Sequence, residues 1–152
     1  EPLGTAGSLR YLEDYVKTPF FVTNCDVIIK ADYRSIHSYH LKQKNDITLV
    51  ASTKEYAIPY GTCEINSEGY LSRIIEKPKH DYLVNTGLYV INPDVLLNIP
   101  KGKFLHITDL IENTLSDGKK VGVYPVDDDS WLDIGHWSEY QKVVKLLNFE
   151  KI

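Results

Sequence analysis

Short apolar runs alternate along this chain with segments of helical spacing, and no other feature narrows its possible folds as much. Residues 20–23, 47–52, 83–91 and 121–126 read as strands, and most are apolar with little alternation. Strands of that kind are buried on both faces. Between them, 32–44 reads as a helix capped by Asp32, with Tyr33, Ile36 and His40 near one face. A second helix is expected from Thr108-Asp109 to Ser116, stopped by Asp117-Gly118. A third is expected over 136–147, and a helical stretch over 93–99 has Pro93 in its first turn. At the start, Gly4-Thr5-Ala6-Gly7 opens a helix with Leu9, Leu12 and Val16 at helical spacing, broken by Thr18-Pro19. Residues 61–66 and 71–76 flank Ser67-Glu68-Gly69 and read as a hairpin. The order predicts an α/β fold: a mostly parallel mixed sheet covered on both faces, hence three layers.

Two of the strands lead into aspartate. One runs Phe20-Phe21-Val22-Thr23-Asn24-Cys25-Asp26, and the other is Trp131-Leu132-Asp133 before Ile134-Gly135. The C-terminal ends of strands in an open α/β sheet are where ligands bind. Two carboxylates converging there suit Mg²⁺, a hard cation that takes oxygen ligands and bridges to substrate phosphates. A strand-end or helix-cap aspartate with no ligand is the structural alternative for each.

Composition removes several classes. The 152 residues carry a formal charge of −4 with no run of Lys or Arg, which argues against a nucleic-acid surface but leaves room for a mononucleotide. No apolar stretch has the length of a membrane span, so no membrane partner is expected. The two cysteines, Cys25 and Cys63, match no metal spacing; a buried thiol at Cys25 and a reducing, cytoplasmic setting are expected. The five histidines, His37, His40, His80, His106 and His136, form no metal-spaced cluster and read as surface or helix-face residues. Asp127-Asp128-Asp129 reads as a solvated loop, because adjacent like charges stay hydrated. The chain contains no methionine, even at its first residue.

Four further segments carry chemistry or its structural counterpart. Leu3-Gly4-Thr5-Ala6-Gly7 would let backbone approach a flat ligand such as a base; glycines also simply cap helices. Gly61 after Tyr60 would let a sugar ring lie against backbone. In Glu76-Lys77-Pro78 a carboxylate can take sugar hydroxyls and an ammonium a phosphate, or both are solvated surface charges. Asn85-Thr86-Gly87 puts an amide and a glycine inside an apolar strand, and a buried amide needs a partner.

In this order, Leu-Gly-Thr-Ala-Gly at 3–7, Asn-x-Asp at 24–26, Tyr-Gly at 60–61, Glu-Lys-Pro at 76–78, Asn-x-Gly at 85–87 and Trp-x-Asp-x-Gly at 131–135 resemble the sugar-1-phosphate nucleotidyltransferase family. The wording at 3–7, and Phe104-Leu105-His106-Ile107-Thr108-Asp109-Leu110-Ile111, is similar to its mannose-1-phosphate guanylyltransferase branch. The resemblance implies a Rossmann-like nucleotide-diphospho-sugar transferase fold. It implies that an NTP, with a lean toward GTP, is joined to a sugar 1-phosphate, giving an NDP-sugar and pyrophosphate. It implies that Leu3, Gly4, Thr5 and Gly7 lie by the nucleotide, that Asp26 and Asp133 ligate Mg²⁺, that Gly61, Glu76, Asn85 and Gly87 contact the sugar, and that Lys77 takes its phosphate. Asp26, Asp133 and Lys77 would then form the catalytic set.

One family signature is missing. The resemblance calls for a Gly-x-Gly-Thr-Arg loop that grips the triphosphate, and no Gly-x-Gly occurs in these residues. The chain is therefore expected to be a single partial domain, 1–152, of a longer enzyme. Alone it should bind triphosphate poorly and not turn over. Strand edges left uncovered make a homo-oligomer one expected consequence. Two other readings stay open: a nucleotidyltransferase-like regulatory or assembly subunit, and a nucleotide-sugar-dependent glycosyltransferase. Retention of both aspartates argues against the first, and Asn24-Cys25-Asp26 in place of Asp-x-Asp argues against the second.

Overall fold

The structure is a computed structural model and describes residues 1–135. In chain order its elements are a 3-10 turn at Gly7–Leu12, β1 (Phe20–Thr23), β2 (Val27–Ile29), α1 (Tyr33–Gln43), β3 (Ile47–Ala57), β4 (Thr62–Ile65), β5 (Leu71–Ile75), β6 (Lys79–Ile91), a 3-10 turn at Pro93–Asn98, α2 (Ile107–Ser116), β7 (Val121–Val126), a 3-10 turn at Asp128–Ser130, and β8 (Trp131–Asp133). The main sheet has the order β1-β6-β3-β7. β3 and β7 pair in parallel, while β6 is antiparallel to both β1 and β3. So β6 alone is reversed, and the mixed sheet expected from the sequence is present. β2 pairs with β8, and β4 with β5, as separate two-stranded ribbons.

Alternation along the strands builds two cores. Ile47, Tyr89, Ile91, Phe20 and Val22 face one side, where Val95, Leu96, Ile107 and Leu110 cover them. Val50, Leu88, Val90 and Phe21 face the other, where Ile36 of α1 and Ile29 of β2 cover them. The three layers follow from this two-residue period. Each fully buried Leu, Ile or Val contributes roughly 1.5–3 kcal/mol by leaving water.

The α1 helix keeps its expected bounds. The Asp32 carboxylate accepts from the Arg34 amide at 2.9 Å, and Lys44 ends the helix in the left-handed region. Of its two histidines, His37 and His40, the second lies on the buried face with Ile36. His40 is buried, with Nδ1 2.8 Å from Thr48 Oγ1 and Nε2 3.1 Å from Asn92 Oδ1. The Asn92 amide nitrogen donates to the Asn45 carbonyl, so its oxygen faces the ring and Nε2 is the ring atom that donates.

Three expectations change, and one strand is new. The opening segment forms a 3-10 turn from Gly7 in place of a longer helix, because residues 3–7 are held by backbone bonds to Leu105. The stretch after Asn92 is likewise 3-10. α2 starts at Ile107, so Thr108 and Asp109, expected as its cap, lie inside its first turn and His106 holds the cap position, with Asp109 accepting from the His106 amide at 3.0 Å. β2 has no sequence expectation, since three residues between turns give no period to read, and it exists through its pairing with β8. The helix expected over 136–147 lies outside the described residues.

Candidate functional site

The N-terminal loop docks on the start of α2. The Ala6 amide donates to the Leu105 carbonyl at 2.9 Å, and the Leu105 amide donates to the Leu3 carbonyl at 3.0 Å. The Thr5 hydroxyl accepts from the Ile107 amide at 2.9 Å, satisfying one free donor of that helix's first turn. Gly4 has φ +72°, and a Cβ there would sit 2.5 Å from the Leu105 carbonyl oxygen. Gly7 is likewise pressed against the Lys103 carbonyl. Both glycines thus have a packing reason in this loop. The two segments that carried the guanylyltransferase-like wording, 3–7 and 104–111, meet here.

β6 is broken where Asn85, Thr86 and Gly87 fall. Val50 pairs with Leu88 and Ala51 with Asn85, so Thr86 and Gly87 are extra. The Thr86 hydroxyl donates to the Val50 carbonyl at 2.9 Å, pairing an acceptor at the point where the ladder shifts. Gly87 has φ +83°, and a Cβ there would lie 2.6 Å from Asn24 Nδ2. The Asn24 amide donates to the Gly87 carbonyl at 2.9 Å. The bulge therefore positions the loop that carries Asp26.

Asn85 is exposed, against the expectation of a buried amide. Its Oδ1 accepts from the Gly87 amide at 3.0 Å, and its Nδ2 donates to the Tyr89 hydroxyl at 2.7 Å. One Nδ2 hydrogen remains for another partner. Burial pushes the Tyr89 hydroxyl pKa up, opposed by the bond from Asn85. Tyr89 therefore keeps its proton at neutral pH as a donor beside Asn85. The sequence reading did not single out Tyr89, a core residue whose hydroxyl accepts from the Asn85 amide.

Thr5, Thr23, Asn24, Cys25 and Asp26 line an open cleft of about 430 Å³. Cys25 is exposed there, so the expected buried thiol is corrected; the turn after β1 points residues 24–26 away from both cores. Asp26 precedes β2, and β2 pairs with β8 in the register Val27↔Asp133, Ile28↔Leu132, Ile29↔Trp131. The Ile134 amide donates to the Asp26 carbonyl at 2.8 Å. Positions 26 and 133, 107 residues apart in sequence, are thus on adjacent rungs of one ribbon. Among the described residues no group of three or more His, Cys, Asp or Glu side chains gathers as a metal site. A pair of carboxylates is a donor set for a hard cation that takes its remaining ligands from water or phosphate.

Gly61, Glu76 and Lys77 form a second group at the base of the β4–β5 hairpin. Thr62 pairs with Ile75, which brings Gly61 opposite Glu76, and a Cβ on Gly61 would come within 3.1 Å of Glu76 Oε2. Lys77 has φ +44°. That left-handed backbone is unfavourable for a residue with a side chain, and strain of this kind clusters at ligand sites. The two groups are connected through β6, and Lys79 lies up to about 20 Å along the strand from Asn85. No hydrogen bond or ion pair joins the groups among the described residues. Another cleft of about 430 Å³, lined by Phe21, Tyr33, Arg34, His37 and Ser38, contains none of the residues expected from the sequence.

Comparison with known proteins bears on this arrangement. Residues 1–148 match the family model described as nucleotidyl transferase. The chain is 31% identical over 149 residues to the mannose-1-phosphate guanyltransferase of Yarrowia lipolytica, covering 92% of this chain and 40% of that protein. It is 37% identical over 103 residues to the enzyme of that name from Saccharomyces cerevisiae, covering 63% of this chain and 28% of that protein. The chain therefore spans well under half the length of these relatives. The fold is shared with crystalline HddC from Yersinia pseudotuberculosis, at TM-score 0.68 and 21% identity over 97% of this chain and 64% of that one. It is also shared with a putative glucose-1-phosphate thymidylyltransferase from Bacillus anthracis, at TM-score 0.66 and 23% identity over 96% and 62%. With the family match and the identity to these relatives in agreement, the chain belongs to the nucleotidyl transferases, in the sugar-1-phosphate group that resembles the mannose-1-phosphate guanylyltransferases.

Proposed function

We propose that this chain is part of an enzyme that joins GTP to a hexose 1-phosphate, mannose 1-phosphate first, releasing pyrophosphate and a GDP-sugar. The observation that carries the reading is the β2–β8 register, which brings the backbones of positions 26 and 133 close together, with Asp26 in the cleft that Thr5 also lines.

Both reactants are anions, so their approach needs positive charge held in place. In this reading Asp26 and Asp133 would be the residues that hold Mg²⁺. When bound, that ion would neutralise phosphate charge on the nucleotide. Lys77 carries its ammonium toward the sugar phosphate, and Glu76 accepts from sugar hydroxyls. Asn85 offers an N–H to the ring, and the buried Tyr89 hydroxyl holds its amide in place. Gly61 and Gly87 leave room for it against backbone. The N-terminal loop, with Leu3, Gly4, Thr5 and Gly7, borders the base. The attacking oxygen belongs to the sugar phosphate itself, so no protein nucleophile is needed. Positioning of the two substrates in line supplies roughly 7–11 kcal/mol of such a barrier. These 152 residues contain no Gly-x-Gly loop for a triphosphate. The chain by itself is therefore expected to bind the product better than to turn over.

Titrating GDP-mannose with Mg²⁺ into the 152-residue chain tests this. Saturable binding that weakens about tenfold in Asp26→Asn and in Lys77→Ala is expected. No binding up to millimolar ligand, or binding that both variants leave unchanged, would overturn it. A panel with GDP-glucose and UDP-glucose assigns sugar and base.

A further inference from the structure

We propose that Lys54 is a positioning residue that fixes β8, and so the backbone of Asp133, against the body of the protein; this rests on the two-aspartate reading above.

β2 and β8 share only three rungs. A two-stranded ribbon that short is not stable by itself. It needs an anchor on a stiffer element, and β3 is an interior strand of the main sheet, flanked by β6 on one edge and β7 on the other. Thr48, Val50, Ser52 and Lys54 alternate onto one face of β3. The first three are buried, and Val50 packs in the core cluster against which Trp131 also packs. β7 stays paired to β3 through Ser52↔Val126 and then leaves it. One strand period further on stands Lys54.

Its ammonium pairs with the Asp128 carboxylate and lies 5.1 Å from the centroid of the Trp131 ring. Asp128 opens the 3-10 turn that precedes β8, and Trp131 is the first residue of β8. One cation therefore grips both the approach to β8 and its first side chain, two residues before Asp133. The Lys54 side chain is 31% exposed, so its attraction to both partners is less screened than at the open surface. Backbone bonds complete the attachment: the Lys30 amide donates to the Ser130 carbonyl at 2.7 Å, and the Ile134 amide to that of Asp26. Those bonds tie β8 to β2; Lys54, with the packing of Trp131 on the core, ties it to the main sheet. The acidic run at 127–129, which reads as a solvated loop, thus contributes one member to a specific anchor.

The test uses Mn²⁺ alone, titrated into the 152-residue chain and followed by the electron-spin signal of the free ion, for wild type, Lys54→Gln, Lys54→Arg, Asp128→Asn and Asp26→Asn. The ¹⁵N indole resonance of Trp131, assigned with Trp131→Phe, is recorded in parallel. Wild type is expected to bind, and Asp26→Asn to lose binding. Lys54→Gln should weaken Mn²⁺ about tenfold and move the Trp131 resonance, as loss of a group supporting a metal ligand does. Lys54→Arg, which keeps the cation over the ring and the pair with Asp128, should restore both. Asp128→Asn leaves the ring contact and should cost about two- to fivefold, as an exposed ion pair does. A wild type that binds no Mn²⁺ sinks the two-aspartate reading and the role of Lys54 with it. A wild type that binds, with Asp26→Asn sensitive and Lys54→Gln indifferent, overturns the role of Lys54 alone.

Discussion

The main sheet and the β4–β5 hairpin are built on opposite terms. β1, β6, β3 and β7 are packed on both faces, and Leu88, Val90, Ile91 and Leu110 are completely buried. The β4–β5 hairpin has Ile65 69%, Leu71 61% and Ile74 64% exposed. Yet the hairpin base holds Gly61, Glu76 and Lys77, and the β2–β8 ribbon holds Asp133 with Asp26 beside it. Gly61, Glu76 and Lys77 sit where burial contributes least, whereas the β2–β8 ribbon rests Ile29 and Trp131 on the core. Their geometry is set by backbone bonds, by close approaches that only glycine permits, and by the Lys54 anchor. The lesson is a division of labour: the sheet supplies stability, and short attachments to it supply position.

This contrast can be broken by substitution. The largest effect is expected in the core, where Leu110→Ala should lose about 2–5 kcal/mol of unfolding free energy in urea. Next comes the bulge. Gly87→Ala forces a side chain into φ +83° and toward Asn24, and should cost about 1–3 kcal/mol. It should also move the amide resonances of residues 24–26, because Asn24 is bonded to the bulge. A Gly87→Ala protein with unmoved resonances there would separate the bulge from the cleft. In the hairpin, Ile74→Ala should change stability by no more than about 0.5 kcal/mol. A core-like loss at Ile74 would mean that this face is covered in solution.

The smallest effect concerns pH. Hydrogen bonds from the Ser35 hydroxyl and the Arg34 amide hold the Asp32 carboxyl below its usual pKa. A carboxylate with a lowered folded-state pKa adds stability that is complete above the unfolded value and is lost as pH falls through the folded one. Asp32→Asn, which still caps a helix, should flatten that acid-side decline and leave the neutral urea midpoint nearly unchanged. An identical acid-side slope in variant and wild type would remove Asp32 as its source.

Much of this was legible in the residues. Apolar runs gave the strands of the main sheet, and Asp32 and Asp117-Gly118 gave helix ends. Asp26, Asp133 and the Asn85–Gly87 interruption marked where the sheet changes character. What stayed hidden depends on partners distant in sequence. β2 is three residues that become a strand only beside β8. Thr5 caps a helix 102 residues away. His40 lies inside because Thr48 and Asn92 satisfy both ring nitrogens. Lys54 looks like an ordinary strand lysine until the chain after β7 folds over it. Local period and turn chemistry carry no information about such pairings.

The most direct test of the account is a double-mutant cycle on Mn²⁺ affinity with Asp26→Asn, Asp133→Asn and the pair together. If the two carboxylates share one ion, each single variant should lose most of the affinity and the double variant little more. Independent, additive losses, or a wild-type affinity that neither substitution changes, would contradict it.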